Sequence, residues 1–151
     1  MSKKIVILNG PNLNMLGQRE KEIYGDISLN DIQKSLNQYV VEYNKLNSKK
    51  IIVTFFQSNV EGEIVSSIHQ AFKENIDFVI INPGAYSHSS IAILDALKIL
   101  NCKIAEVHLS NTHRRESFRQ KKITAMAATF VIEGLGANGY LVALNEYLKN
   151  I

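Results

Sequence analysis

The feature that most constrains the fold is a regular alternation of short apolar runs with segments of helical periodicity. The runs are rich in β-branched and aromatic residues, as strands are, and span residues 4–9, 50–58, 77–82, 102–109 and 128–134. The segments between and after them carry apolar residues at helical spacing and span 29–43, 61–74, 89–100 and 138–150. Ser28 and Ser89 are the predicted helix caps, with Asp31 completing a capping box after Ser28.

This alternation predicts an α/β fold built from βαβ units, with a parallel sheet covered by helices on both faces. Five strands in 151 residues are typical of a three-layer, doubly wound, flavodoxin-like sheet of order 2-1-3-4-5. The absence of repeats and linkers predicts one domain over residues 1–151. Ligands of such sheets bind beyond the carboxyl ends of the strands, so the strand tips are where a site is expected.

The composition excludes only a few classes of protein. A net charge of +3 is mildly basic, which suits an anionic small substrate as well as a nucleic acid. The single cysteine, Cys102, forms no internal disulfide and is predicted to be a small buried residue before a strand. No apolar run approaches membrane-spanning length, and we expect a soluble cytoplasmic protein.

The tips of the first four strands are dense in Asn, Ser, His, Arg and Gly. Their sequences are "NGPNLN", "QSNVEG", "NPGAYSHSS" and "EVHLSNTHRRESFR". One such tip would be ordinary turn chemistry. Four tips that meet at one edge of a sheet predict a polar binding pocket.

Strand 102–109 carries the most specific signal. Glu106 and His108 are two positions apart and therefore share a face of the sheet, where a glutamate that orients a histidine would make a good general acid or base. The alternative is a structural pair at a strand end. His88 precedes a predicted helix and is either a cap or a pocket residue. A metal site from Glu106, His108 and His113 lacks the ligand spacing of zinc motifs, and no metal is predicted.

Three further motifs have less specific interpretations. The basic runs 113–115 and 119–122 either contact a phosphate or form a solvated helix face with one arginine turned inward. Segment 134–139, "GLGANG", matches GxGxxG, but no strand and no acidic residue follow at the distance that dinucleotide binding requires. Its glycines are predicted to form a tight turn and to let the last helix pack closely. His69 is predicted to face solvent.

Five blocks of the sequence together resemble one family. They are "GPNLNMLGQREKEIYG", "QSNVEGEIV", "INPGAYSHSSIAILDAL", "EVHLSNTHRRESFR" and "GLGANGY", and in this order and spacing they look like type II 3-dehydroquinate dehydratase. The resemblance implies a flavodoxin-like lyase that removes water from 3-dehydroquinate to give 3-dehydroshikimate, in the shikimate pathway of aromatic amino acid biosynthesis or in quinate breakdown. It implies no cofactor and no metal, and assembly as trimers that form a dodecamer.

The resemblance also implies roles for individual residues. Tyr24 matches the catalytic base, His108 the general acid and Glu106 its partner, Arg19 a loop arginine that stabilises the transition state, and Asn12 a residue that helps hold the enolate. The positions that match substrate-binding residues are Asn82, Gly84, Ala85, His88, Leu109, Ser110 and Arg119, together with Asp95, which matches a residue that reaches a neighbouring subunit's site.

The chemistry of the reaction agrees with these roles. Dehydration beside a ketone needs a base for the α-proton, a stabiliser for the enolate and an acid for the departing hydroxyl. A phenol is a poor base at neutral pH, and a nearby guanidinium favours its ionised form. We therefore expect Arg19 and Tyr24 to act together on loop 17–26, bounded by Gly17 and Gly25 as a lid.

Other routes and functions remain possible on the sequence alone. No lysine lies inside an apolar strand, so the predicted mechanism has no imine. A non-catalytic binder of small anions would keep the polar strand tips but would not need Tyr24. A nucleic-acid-binding domain would need exposed stacking aromatics, which are not evident.

Overall fold

Five parallel strands form one sheet in the order β2-β1-β3-β4-β5, as predicted. The computed structural model describes all 151 residues. The strands are β1 (Lys3–Asn9), β2 (Ile51–Gln57), β3 (Phe78–Asn82), β4 (Lys103–His108) and β5 (Phe130–Glu133). Each agrees with a predicted run to within two residues at either end.

Four helices of seven residues or more cover the sheet, and a fifth, of one turn, lies in the loop after β1. They are α1 (Lys21–Tyr24), α2 (Leu29–Leu46), α3 (Glu61–Lys73), α4 (Ile91–Leu97) and α5 (Asn138–Leu148). The predicted capping box is confirmed, because Ser28 accepts from the Asp31 amide and Asp31 accepts from the Ser28 amide. None of these helices is both long and apolar enough to cross a membrane.

The cap predicted for α4 is wrong by one residue. Ser90, not Ser89, accepts a hydrogen bond from the backbone amide of Ile93, at 2.9 Å. Ser89 instead ends the preceding turn, where its amide donates to the carbonyl of Tyr86. The two adjacent serines have the same preference for the N-cap position, so the turn that begins at Pro83 determines which one becomes the cap.

The core lies on both faces of the sheet, which gives three layers. Ile5 and Ile7 of β1 pack with α2 and α5, whereas Val6 and Leu8 pack with α3 and α4. Successive side chains of a strand point to opposite faces, so an uninterrupted apolar run supplies both cores. Every residue of β3 is buried, as expected of a strand in the middle of the sheet.

Short turns at the carboxyl edge carry most of the polar tips. Five 3₁₀ turns lie there or in the segment after β4, at Leu13–Met15, Gly84–His88, Thr112–Arg114, Ser117–Gln120 and Thr124–Ala127. Loop 17–26 is less irregular than predicted, because it contains α1. Gly17 and Gly25 bound that helix with φ of 88° and 81°, a region that favours glycine.

The interpretation of "GLGANG" as a turn before a closely packed helix is confirmed. Gly134 and Gly136 have positive φ, at 85° and 58°. A Cβ atom on Gly139 would lie 3.1 Å from Cγ1 of Val107, so the glycine brings α5 close to β4.

Candidate active site

One polar cavity, of about 110 Å³, opens at the carboxyl edge of the sheet where β1, β3 and β4 end. Only four of its fifteen lining residues are hydrophobic. Eleven of the positions singled out from the sequence line it: Asn12, Arg19, Tyr24, Asn82, Gly84, Ala85, His88, His108, Leu109, Ser110 and Arg119. The polar strand tips therefore meet in one pocket, as predicted.

The histidine of β4 is held from below by a buried carboxylate. Nε2 of His108 lies 2.9 Å from Oε2 of Glu106, so the pair predicted from the two-residue spacing is confirmed. Glu106 is fully buried and does not line the cavity, whereas His108 reaches it. The strand thus presents the imidazole to the pocket and keeps the carboxylate underneath.

The other ring nitrogen of His108 is open to the pocket. Nδ1 makes no hydrogen bond within the chain, and no buried side-chain nitrogen or oxygen lacks a partner. Nδ1 is therefore accessible to a ligand. An imidazole with one nitrogen on a carboxylate and the other facing a cavity can deliver or accept a proton there.

Two arginines contact Tyr24, which also lines the cavity. Cζ of Arg19 lies 3.9 Å from the centre of the phenol ring, and Arg115 Nη2 donates to Tyr24 Oη at 2.8 Å. Arg19, the expected partner of the tyrosine, does cover the ring face. The hydrogen bond to the phenol oxygen comes instead from Arg115, which no sequence pattern singles out.

Arg115 is the inward-facing arginine of the run 113–115. Its Nη1 donates to Ser110 Oγ at 3.1 Å, so one guanidinium joins the end of β4 to the tyrosine of α1. Arg114 beside it is exposed. The sequence raised the possibility that one arginine turns inward, but only the 3₁₀ turn Thr112–Arg114 determines which.

The lining of the cavity carries positively charged side chains and no negatively charged ones. Three guanidinium groups line it, from Arg19, Arg115 and Arg119, and its lining contains no aspartate or glutamate. The Nε of Arg119 donates to Glu116 Oε2 at 2.7 Å, and its terminal nitrogens make no hydrogen bond within the chain. This arrangement suits an anionic ligand, because its carboxylate would meet guanidinium donors already in place.

His88 faces the cavity with a defined tautomer. Its Nδ1 lies 2.8 Å from the Lys121 carbonyl oxygen, which can only accept, so Nδ1 carries the proton and Nε2 is an acceptor. Burial lowers the pKa of His88, and the nearby His108 and Arg119 lower it further. A neutral His88 can therefore accept a hydrogen bond from a ligand hydroxyl.

Asn82 is fixed at the floor of the cavity. Its Nδ2 donates to Oη of the fully buried Tyr140 at 3.1 Å, and its Oδ1 accepts from the Gly84 amide at 3.1 Å. Asn12 lies at the end of the β1 tip with φ of 67°, the left-handed region that asparagine tolerates better than most residues. Both amides lie where a polar ligand would contact them.

Comparison with known proteins agrees with this geometry. The sequence profile of the family described as Dehydroquinase class II matches residues 3–148. The chain belongs to the class II dehydroquinase family. Membership makes it an enzyme of the hydro-lyase class.

Individual relatives show how closely the family pattern is followed. The chain is 53% identical to the 3-dehydroquinate dehydratase of Clostridium perfringens, over 97% of each chain. It is 50% identical to the 3-dehydroquinate dehydratase of Caldicellulosiruptor bescii, over 94% of each. The crystal structure of type II dehydroquinase from Butyrivibrio crossotus is similar with a TM-score of 0.90 and 41% identity, over 96% of this chain and 97% of that one.

Several candidates from the sequence lie outside the cavity. Asp95 is exposed on α4 and does not line the pocket of its own chain. His113 pairs with Glu133 at 2.8 Å instead of joining His108, so these residues form no metal cluster. His69 is exposed, as predicted. Cys102 is half-buried, and burial raises the pKa of its thiol to about 11, which disfavours a nucleophilic role.

Proposed function

We propose that this dehydroquinase removes water from 3-dehydroquinate to give 3-dehydroshikimate, with Tyr24 as base and His108 as acid, through an enolate and without an imine. The observation that carries the proposal is the cavity itself. Tyr24 and His108 both line one pocket, whose lining includes three arginines and no carboxylate. A substrate carboxylate would be held there while the base and the acid act on its ring.

The surroundings of Tyr24 support its role as the base. Arg115 donates to the phenol oxygen at 2.8 Å, and Arg19 lies 3.9 Å from the ring centre. Tyr24 in its tyrosinate form is proposed to accept the α-proton. Arg19 then stabilises the negative charge that develops on the substrate, and Asn12 helps to hold the enolate through a water molecule.

The acid step is assigned to His108. Its accessible Nδ1 faces the cavity while Nε2 is engaged by Glu106. A carboxylate next to an imidazole stabilises the protonated ring, so a proton is available for the departing hydroxyl. Water leaves once this proton has been transferred.

The remaining lining residues are proposed to bind the substrate. Arg119 and the Leu109–Ser110 tip of β4 would hold the carboxylate, and the neutral His88 would accept from a ring hydroxyl. The other substrate contacts are assigned to Asn82, Gly84 and Ala85. We propose no cofactor and no metal, because these side chains supply a base, an acid and an anion site by themselves.

The decisive experiment is to mix the purified protein with 3-dehydroquinate and a chelator and to follow the ultraviolet absorbance of the conjugated enone. The absorbance should increase with wild-type protein. With Tyr24→Phe the rate of this increase should be about 10²- to 10⁴-fold lower, as expected when a general base is lost. Borohydride with substrate should not inactivate the enzyme. Wild-type protein that produces no enone, or a Tyr24→Phe variant with normal turnover, would refute the proposal.

A non-catalytic binder of small anions is the second candidate, and the three arginines are the observation that favours it. Calorimetry separates the two functions. Both predict that Tyr24→Phe still binds the anion, since the arginines remain. Only the enzyme predicts that the same variant loses turnover.

We also propose that the active unit is a trimer, further assembled into a dodecamer, in which Asp95 reaches the site of a neighbouring subunit. Its exposed position on α4 leaves it free to do so. Co-expression of Asp95→Asn and Tyr24→Phe chains tests this, because each inactive chain would supply what the other lacks. In randomly mixed trimers about a quarter of the sites would combine both intact residues. No recovery of activity in mixed oligomers would contradict a shared site.

A further inference from the structure

We infer that Thr124 is a positioning residue for His108 and acts on it through the buried carboxylate of Glu106. Thr124 begins the 3₁₀ turn Thr124–Ala127, well beyond β4 in the chain, and does not line the cavity. Its side chain is fully buried, and its hydroxyl contacts Oε1 of Glu106. The inference rests on the proposed function, in which His108 is the acid.

The hydrogen bonds around Glu106 hold its carboxylate in place. Oε1 contacts the hydroxyl of Thr124, and Oε2 contacts His108 Nε2 at 2.9 Å and Ser87 Oγ at 3.1 Å. Each hydroxyl has one proton to donate, and the carboxylate oxygens accept. Three donors around one buried carboxylate therefore fix the direction of both of its oxygens.

The two hydroxyls have different tasks. Ser87 lies on the same side as the imidazole, at 3.5 Å from His108 Nε2, and shares Oε2 with it. Thr124 Oγ1 also lies 3.2 Å from Ser87 Oγ, and Thr124 is the only side-chain partner of Oε1. Removal of the Thr124 hydroxyl would thus leave one buried carboxylate oxygen without a donor, whereas removal of Ser87 would leave Oε2 still paired with His108.

The consequence for His108 follows from its two nitrogens. Nε2 donates to the carboxylate, so the catalytic proton is on the accessible Nδ1. Glu106 therefore sets the direction in which Nδ1 points. If Glu106 loses the Thr124 hydroxyl, its carboxylate is free to turn, and the hydrogen bond that orients the ring weakens. Thr124 does not line the cavity, yet it positions the acid.

Other charged groups that face His108 could affect the same proton. They lie on several elements: His88, whose ring centre is 6.2 Å away, and across the cavity Arg19, Tyr24, Arg115 and Arg119. None of them contacts Thr124. A Thr124 variant therefore changes the support of Glu106 while it leaves these groups in place.

The test compares Thr124→Val, which keeps the shape and removes the hydroxyl, with Thr124→Ser, which restores it. We expect Thr124→Val to lower kcat about 5- to 100-fold, the range for a buried acceptor that loses its donor, with KM nearly unchanged. Thr124→Ser should recover most of kcat. Circular dichroism and thermal unfolding establish that both variants fold.

A second readout does not depend on turnover. In ¹⁵N-labelled protein at one fixed pH, the Nε2 resonance of His108, which reports the hydrogen bond to Glu106, should shift in Thr124→Val and return in Thr124→Ser. Folded Thr124→Val with normal kcat and unchanged ring nitrogens would overturn the inference, as would Thr124→Ser as impaired as Thr124→Val. If the ring nitrogens respond but the wild-type protein produces no enone, the proposed function fails and the link from Thr124 to His108 stands.

Discussion

Replacement of Glu133 by glutamine should lower the free energy of unfolding at neutral pH. It should also remove the part of the loss of stability in acid that comes from this carboxylate. Glu133 ends β5, where it accepts from Thr112 at 2.7 Å and His113 at 2.8 Å and pairs with Lys122 at 3.0 Å. These partners come from the loop after β4 and from the segment beside His88. One carboxylate thus joins two segments that border the active site. Glutamine keeps the shape but turns one acceptor oxygen into an amide donor.

The magnitude follows from the pKa of Glu133. Burial alone would raise this pKa, but hydrogen bonds from Thr112, Lys122 and His113 hold it at about 2, against an ordinary value of 4.5. At ~1.4 kcal/mol for each pH unit, this corresponds to about 3 kcal/mol of stabilisation by the ionised form. A fifth of the side chain stays exposed, so screening reduces the expected value to about 2 kcal/mol.

The lowered pKa of Glu133 fixes the sign of the pH dependence of stability. As the pH falls, the unfolded chain binds this proton first, so the contribution is complete above about pH 5 and is lost between pH 4.5 and about 2. The wild-type protein should therefore unfold ~4–8 °C above Glu133→Gln at pH 7, and this gap should narrow progressively as the pH falls below 4.5.

The assay is thermal unfolding at one protein concentration, because the stability of an oligomer depends on concentration. Glu42→Gln is the matched control, since its ion pair with Lys45 lies on an exposed face of α2 and should contribute almost nothing. A Glu133→Gln variant as stable as wild type at pH 7, or a gap that stays constant down to pH 3, would refute the reasoning.

Of two further predictions, the first concerns the cavity and the second the close packing of Gly10 against Pro83. Arg115→Lys should lower kcat about 10- to 100-fold, because an ammonium cannot bridge Tyr24 and Ser110 as the guanidinium fork does, while Arg114→Lys should leave the enone assay unchanged. Gly10→Ala should destabilise the protein by more than ~2 kcal/mol in denaturant unfolding, since its Cβ would lie 2.3 Å from the backbone oxygen of Pro83, whereas Gly62→Ala in α3 meets no atom and should not destabilise.

The fold could be predicted from the sequence because its strands are unambiguous. Residues Phe78 to Ile81 of β3 are all apolar, and this is the pattern of a strand buried on both faces. The cap of α4 could not be predicted in the same way. Ser89 and Ser90 have the same intrinsic preference, and the turn from Pro83 to His88 determines which serine begins the helix. α1 was also missed, since a single turn has too few residues to show a helical period.

In the site, likewise, some contacts could be predicted from the spacing of residues in the sequence and others could not. Glu106 and His108 could be paired from sequence because they are two residues apart on one strand. Thr124 and Glu106 are far apart in the chain, and their contact depends on how the segment after β4 folds back over the sheet. Arg115 and Tyr24 are separated still further, and no local pattern distinguishes Arg115 from Arg114.

The two sides of the proposed chemistry rest on different kinds of support. His108 belongs to a central strand and to a buried hydrogen-bonded group, so its position is fixed by the core. Tyr24 belongs to α1, which buries none of its residues and is joined to the site mainly by Arg19 and Arg115. A segment with so little buried surface opens at low cost. An anion that bound beside the same arginines would relieve their mutual repulsion and strengthen their hold on Tyr24. In the proposed mechanism, substrate binding would thereby favour the closed arrangement with the proposed base in place, and this would be a reason to carry the proposed base on α1 and the proposed acid on the sheet.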